Sequence, residues 1–77
     1  MRTLFELPKG EKCLIDKLLS EEGMKRRLLD LGLTPNTLVE CLNVSPHGDP
    51  KAFLIRGAVI ALRREDCNNI LIREAKL

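Results

Sequence analysis

The segment Met24-Lys25-Arg26-Arg27-Leu28-Leu29-Asp30-Leu31-Gly32-Leu33-Thr34-Pro35-Asn36-Thr37 decides how the chain reads. It spells a short helix, a glycine stop and a tight turn that leads into a strand. Met24, Leu28 and Leu31 recur at i, i+4 and i+7 and so share one helical face, with Lys25, Arg26 and Asp30 elsewhere. Gly32 follows directly, where a helix end favours a residue free to take the left-handed conformation. Leu33 is placed to fold back on Leu28, the apolar contact that accompanies a Schellman cap. Thr34-Pro35-Asn36-Thr37 then has Pro second and Asn third, the pattern of a type II turn.

Upstream of the helix, Thr3 to Gly10 reads as an extended lead-in anchored by Leu4 and Leu7, with Pro8-Lys9-Gly10 as a turn. Glu11 to Leu19 is a strand with Cys13 and Ile15 inward, and Leu18-Leu19 break its alternation. Ser20, followed by Glu21 and Glu22, supplies the helix cap and first-turn acids. Gly23 leaves the start open between Glu21 and Met24.

Downstream, Leu38 to Val44 is a second strand. Val39 and Cys41 share one face while Leu42 and Val44 share the other, so this strand should bend and change face. Ser45-Pro46-His47-Gly48-Asp49-Pro50 is a loop, since two prolines and a glycine exclude helix and central strand. Ala52 to Arg56 and Val59 to Arg63 are strands joined by a hairpin turn at Arg56-Gly57, with Phe53, Ile55, Ile60 and Leu62 inward. Arg64 to Asn68 makes one helical turn, Asn69 to Glu74 a fifth strand with Ile70 and Ile72 inward, and the last three residues fray. Five short strands and one short helix between the first two favour a small closed β-barrel, because closure removes exposed edges.

Seventy-seven residues make one small domain, and with Phe5 and Phe53 the only aromatics its core must be aliphatic. Basic and acidic residues nearly balance at 13 and 11, which argues against the concentrated basic face of a nucleic-acid binder. The longest apolar run, Ala58 to Leu62, has five residues, far short of the ~20 of a membrane-spanning helix. The first nine residues carry Glu6 and Pro8 and do not read as a signal peptide, so the expectation is a cytoplasmic domain. Cys13, Cys41 and Cys67 lie 28 and 26 residues apart. An odd count without short spacing fits neither a disulfide framework nor a zinc finger, and points to small buried apolar residues.

Taken in order, Arg26 to Pro35, Ser45 to Pro50, Ile55-Arg56-Gly57 and Ala61-Leu62-Arg63 resemble the FeoA family, small cytoplasmic proteins of bacterial ferrous iron transport. The resemblance runs from about Leu7 to Ile72 and rests on four motifs in one order and spacing. Its structural signature here is Gly32, Pro35, Pro46, Gly48, Pro50 and Gly57. It implies an SH3-like barrel, the module that also closes iron-dependent regulators of the diphtheria-toxin-repressor type. It further implies a partner, the FeoB membrane GTPase and ferrous permease, rather than a catalytic activity. Asn36 stands where the family usually has Gly, Ser45 where Ala is common and Cys67 where a small Ala is frequent.

Residue chemistry gives enzymatic readings little support. His47 is the only histidine, and Ser45, His47 and Asp49 are too close in sequence for a base to lie between nucleophile and orienter. His47, Asp49 and a cysteine are the candidate transition-metal ligands, but no pair has ligand spacing; any metal role stays unassigned. Arg27, beside the apolar stripe, is placed to reach loop carbonyls with its guanidinium. A nucleic-acid-binding barrel is a weaker alternative, because stacking aromatics are missing. The expectation is an adaptor or regulatory module that docks on the permease through Arg26, Arg27, His47, Asp49 and Arg56 and reaches the membrane only through that partner.

Overall fold

A computed structural model describes residues 2–75. Six antiparallel strands form one sheet in the order β1-β6-β2-β3-β4-β5. They are β1 (Arg2–Thr3), β2 (Lys12–Leu18), β3 (Leu38–Val44), β4 (Lys51–Ile55), β5 (Ala58–Leu62) and β6 (Ile70–Glu74). Helix α1 (Glu22–Asp30) lies between β2 and β3, and the single turn α2 (Arg64–Cys67) between β5 and β6. The five expected strands are all present, and β3 has the expected bounds. The two-residue β1 and the 3₁₀ turn Leu4–Glu6 occupy what reads in sequence as an extended lead-in. The expected closed ladder is corrected: β1 and β5 end the sheet and do not pair with each other. Of the three residues expected to fray, Lys76 and Leu77 lie outside the described residues.

The core is aliphatic apart from Phe53 and the three cysteines, and it draws on every strand after β1 together with Leu4, Leu7, Leu28 and Leu33. Two bulges set which residues reach it. One extra residue, Asp16, sits between Ile15 and Lys17 against β6, so the buried set on β2 runs Cys13, Ile15, Leu18. A second extra residue, Leu42, sits between Cys41 and Asn43 against β4, and Val44 packs on the core beyond it. The broken alternations in the sequence therefore mark re-phased strands.

Helix α1 ends as its sequence requires. Gly32 has φ 102°, its N–H donates to Leu29 O at 3.0 Å, and the Leu33 N–H donates to Leu28 O at 3.0 Å, which is the Schellman pair. Leu28 and Leu33 are both fully buried beneath it. Leu31, expected on the core face, is the C-cap residue and is 38% exposed. The N-cap is Glu21, whose carboxylate accepts the Met24 N–H at 3.2 Å. Ser20, expected in that role, has a buried hydroxyl without a hydrogen-bond partner.

The type II turn forms as read, with Asn36 at φ 71° and Thr37 N–H donating to Thr34 O at 3.1 Å. It is docked on β2, since Asn36 N–H donates to Ile15 O at 2.7 Å and Ile15 N–H to Thr37 O at 3.0 Å. The turn is thus fastened to the sheet by backbone bonds, and the helix and its cap by the burial of Leu28 and Leu33.

Candidate functional site

The residues that chemistry singles out in the sequence fall on four parts of the surface. His47 and Asp49 lie on the 45–50 loop, in a cleft shared with Arg63, Arg64, Glu65 and Asn68. The loop is closed by Gly48 N–H to Ser45 O at 2.7 Å and Ser45 N–H to Pro50 O at 3.2 Å, with Gly48 at φ 82°. His47 is exposed. Asp49 is committed locally, because its Oδ1 accepts the Arg64 N–H at 2.9 Å and so caps α2 across the loop.

Arg26 faces a different depression, beside Glu22, Lys25, Leu29 and Asp30. Arg27 is exposed on a third surface, a groove between α1 and β5 that also takes in Met24, Leu31, Ile60 and Arg63. Arg56 stands at the β4–β5 hairpin, where φ 50° at Arg56 and 83° at Gly57 give the two-residue turn its left-handed pair. The Arg56 guanidinium donates to Thr34 Oγ1 at 3.0 Å and to Thr37 Oγ1 at 3.3 Å. The tie expected of Arg27 is therefore made by Arg56, to hydroxyls and not carbonyls. The two clefts on either side of α2 both include Arg63 and Glu65, so the 45–50 loop and the α1–β5 groove adjoin. Arg26 does not join them.

Lys51 went unremarked in the sequence. It is 8% exposed, its Nζ donates to Leu7 O at 3.2 Å and to Phe5 O, and the ammonium stands 4.7 Å from the Phe5 ring centroid. The signal was available: Lys51, Phe53 and Ile55 are spaced by two, so the alternation that turns the latter pair inward also turns Lys51 inward.

The cysteines are core residues. Burial pushes the Cys13 thiol up to about 11 and the Cys67 thiol up to about 12, and raises Cys41 as well. A thiol ligates metal as thiolate, so these three are poor donors where they stand. Among the described residues no three of His, Cys, Asp and Glu come together as a metal-ligand group, and His47 and Asp49 do not meet a cysteine. Among the described residues, these side chains form no assembled transition-metal site.

Short antiparallel strands around an aliphatic core, with one helix inserted between β2 and β3, define a small SH3-like domain. The solution structure of the FeoA protein from Chlorobium tepidum matches it with a TM-score of 0.91 at 28% identity, over 97% of this chain and 71% of that one. FeoA of Stenotrophomonas maltophilia, a zinc complex described as a procaryotic SH3 domain protein, matches with a TM-score of 0.83 at 22% identity, over 97% and 100%. The crystal structure of T. acidophilum IdeR shares the fold with a TM-score of 0.83 at 17% identity, over 96% of this chain and 34% of that longer one. Comparison with curated proteins gives no match. Residues 2–74 match the FeoA domain family, and the chain belongs to that family, which is linked to ferrous iron transport. Among the described residues no helix is long and apolar enough to cross a membrane.

Proposed function

We propose that this domain is a non-enzymatic adaptor of ferrous iron uptake that docks on the cytoplasmic part of an FeoB-type membrane GTPase permease. The observation that carries the reading is membership of the FeoA family over residues 2–74. The surface chemistry supports it. The polar groups that catalysis would draw on are spread over separate clefts or, like Asp49, spent on capping a turn. On this reading the domain works in the cytoplasm and reaches the membrane through its partner.

His47 supplies a recognition group on a loop whose two prolines restrict the backbone, so little ordering entropy is lost on contact. Arg26 adds a charge that steers toward an acidic patch and weakens with salt. The test is retention of the permease from solubilised membranes of the source organism by the tagged domain. His47→Ala should lower retention at unchanged thermal midpoint, and Arg26→Glu should lower it more at low salt than at high salt. Failure of the wild-type domain to retain a permease overturns the adaptor reading. Normal retention and uptake with both variants moves the docking face elsewhere.

A zinc complex is known for the Stenotrophomonas protein, which makes direct metal binding the competing reading. The elevated thiols of Cys13 and Cys67 count against the core cysteines as ligands. Zinc titration of wild type and of a variant with all three cysteines replaced separates the two readings. A stoichiometric site lost in the variant would favour metal sensing.

A further inference from the structure

The N-terminal turn Leu4–Glu6 carries Phe5, a half-buried ring that holds two cations. The buried Lys51 ammonium stands 4.7 Å from its centroid, and the Arg64 guanidinium carbon 5.0 Å. These cations differ in what else fixes them. Lys51 keeps its bonds to the carbonyls of Phe5 and Leu7 whatever side chain residue 5 carries, because both acceptors are backbone atoms. Arg64 is exposed, and its guanidinium rests on the ring. Phe5 therefore matters most to Arg64.

The backbone of Arg64 is fixed as well. Its N–H donates to Asp49 Oδ1 at 2.9 Å, its carbonyl accepts the Asn68 N–H at 2.9 Å, and Cys67 anchors α2 in the core. The N-terminal turn, the 45–50 loop and α2 thus converge on one arginine, which lines the cleft together with His47, Arg63, Glu65 and Asn68. Neither the ring contact nor the backbone bonds use a guanidinium N–H. A ring holds an arginine in place while leaving its planar fork open, and that fork matches a carboxylate. Arg56 is the contrast, since its guanidinium already donates to Thr34 and Thr37.

Net charge does not choose the ligand here, because Asp49 and Glu65 offset Arg63 and Arg64 in the cleft. A doubly charged phosphate meets both acids, whereas a single carboxylate takes the fork against less repulsion. An arginine already placed on a ring also loses less side-chain freedom on binding than one free in solvent. We infer that Arg64 is a docking residue for a carboxylate side chain of the partner protein, and that Phe5 is its positioning residue. The inference rests on the docking reading above and adds a second recognition group beside His47.

Two measurements test it. In the first, acetate, acetamide or inorganic phosphate is titrated at constant ionic strength into the 15N-labelled domain while the arginine Nε–H signals are followed. Acetate should move the Arg64 signal more than that of Arg26, acetamide should leave it in place, and phosphate should bind no tighter than acetate. In the second, retention of the permease is measured for Arg64→Met, Phe5→Leu and the two together. Arg64→Met should weaken retention about tenfold or more, and Arg64→Lys, which lacks the fork, should recover little of the loss. Phe5→Leu should weaken it about twofold to fivefold, the share of a cation–π contact, while Phe5→Tyr keeps a ring and should match wild type. In the Arg64→Met background Phe5→Leu should have no further effect; Phe5→Met takes its place in the cycle should the leucine variant not fold. If Arg64→Met retains the permease as wild type does, this inference fails while the adaptor reading stands. Equal responses to acetate and acetamide, or tighter binding of phosphate, overturn the carboxylate assignment. A Phe5→Leu loss that persists in the Arg64→Met background makes the ring a structural support and overturns its positioning role. If acetate binds as described but wild type retains no permease, the adaptor reading fails and the Arg64 site stands.

Discussion

Arg56 lies across Gly32. A Cβ placed on Gly32 would come within 3.1 Å of Arg56 Cδ and 3.3 Å of Ile55 Cγ2, so the missing side chain is what lets the arginine pass. Beyond that point the guanidinium reaches the hydroxyls of Thr34 and Thr37, which are themselves 2.7 Å apart. The β4–β5 hairpin is thereby tied to the end of α1 and to the turn that follows it. Gly32 serves two demands at once, a left-handed φ of 102° and a close approach.

Both demands are tested by size. Gly32→Ala meets the strain of a left-handed non-glycine residue and a tight contact with Arg56, and should cost about 1–3 kcal/mol. Gly32→Val adds a branched side chain against Ile55 and should cost more. The urea midpoint reads both, and an unchanged midpoint for Gly32→Ala would show that neither demand is real.

The arginine's own share comes from a double-mutant cycle. Arg56→Met keeps a stem to cover Gly32 and loses the hydrogen bonds, while Thr34→Val removes one acceptor at similar shape. Their coupling should be about 0.5–1.5 kcal/mol, the worth of a hydrogen bond. Because both acceptors are neutral hydroxyls, the coupling should hardly change with salt. A coupling that vanished at high ionic strength would mean that Arg56 acts through a carboxylate instead.

The helix, its cap and the turn were legible because each rests on local chemistry: a glycine that must take positive φ, a leucine pair around it, and Pro-Asn in a turn. The strands were legible from alternation, and where alternation failed, at Leu18 and Val44, the failure itself recorded the bulges at Asp16 and Leu42. What could not be read was which loop residues meet across the fold. Asp49 and Arg64 are 15 positions apart, and Arg56 and Thr34 are 22 apart. Nothing in either residue's neighbourhood in sequence announces its partner. The open edge at β5 was hidden for the same reason, since strand order along a sheet depends on long-range pairing. Closure was inferred from five short strands and the advantage of removing exposed edges, and neither fixes whether the end strands pair.

Alkaline pH should weaken the fold through the cysteines. Their thiols are held neutral by burial, with Cys13 raised from 9.0 to about 11 and Cys67 to about 12. Above the unfolded value the unfolded chain has lost protons that the folded chain retains, so unfolding releases them and stability falls as pH rises. The stabilisation is intact below about pH 9 and is lost progressively toward pH 11 and 12. A variant with Cys13→Ala, Cys41→Val and Cys67→Ala should start less stable and lack this part of the alkaline decline. A wild-type urea midpoint that is flat between pH 8.5 and 10.5, once Lys ionisation is matched by the variant, would place the thiols outside the core.

Lys51 should prove to be the residue that holds the N-terminal segment on the sheet. Strands β1 and β4 are not neighbours in the sheet, so no backbone ladder joins the turn at Leu4–Glu6 to β4. The buried Lys51 ammonium makes that connection by donating to the carbonyls of Phe5 and Leu7. Lys51→Met keeps the length of the apolar stem and removes only the donor, leaving the Leu7 carbonyl in a buried place without that partner. The expected cost is about 1–3 kcal/mol, the penalty for a buried polar group left unpaired. Arg64→Met is the control: its guanidinium also stands over the Phe5 ring, at 5.0 Å, but the residue is exposed. Losing that contact should cost no more than about 0.5–1 kcal/mol. Hydrogen exchange locates the damage, because the Leu7 N–H bonded to Leu4 O at 3.2 Å should lose protection in Lys51→Met before the amides shared by β2 and β6 do. If the urea midpoint and the Leu7 protection match wild type, the segment is held by the β1–β6 pairing and the burial of Leu4 and Leu7 without help from Lys51.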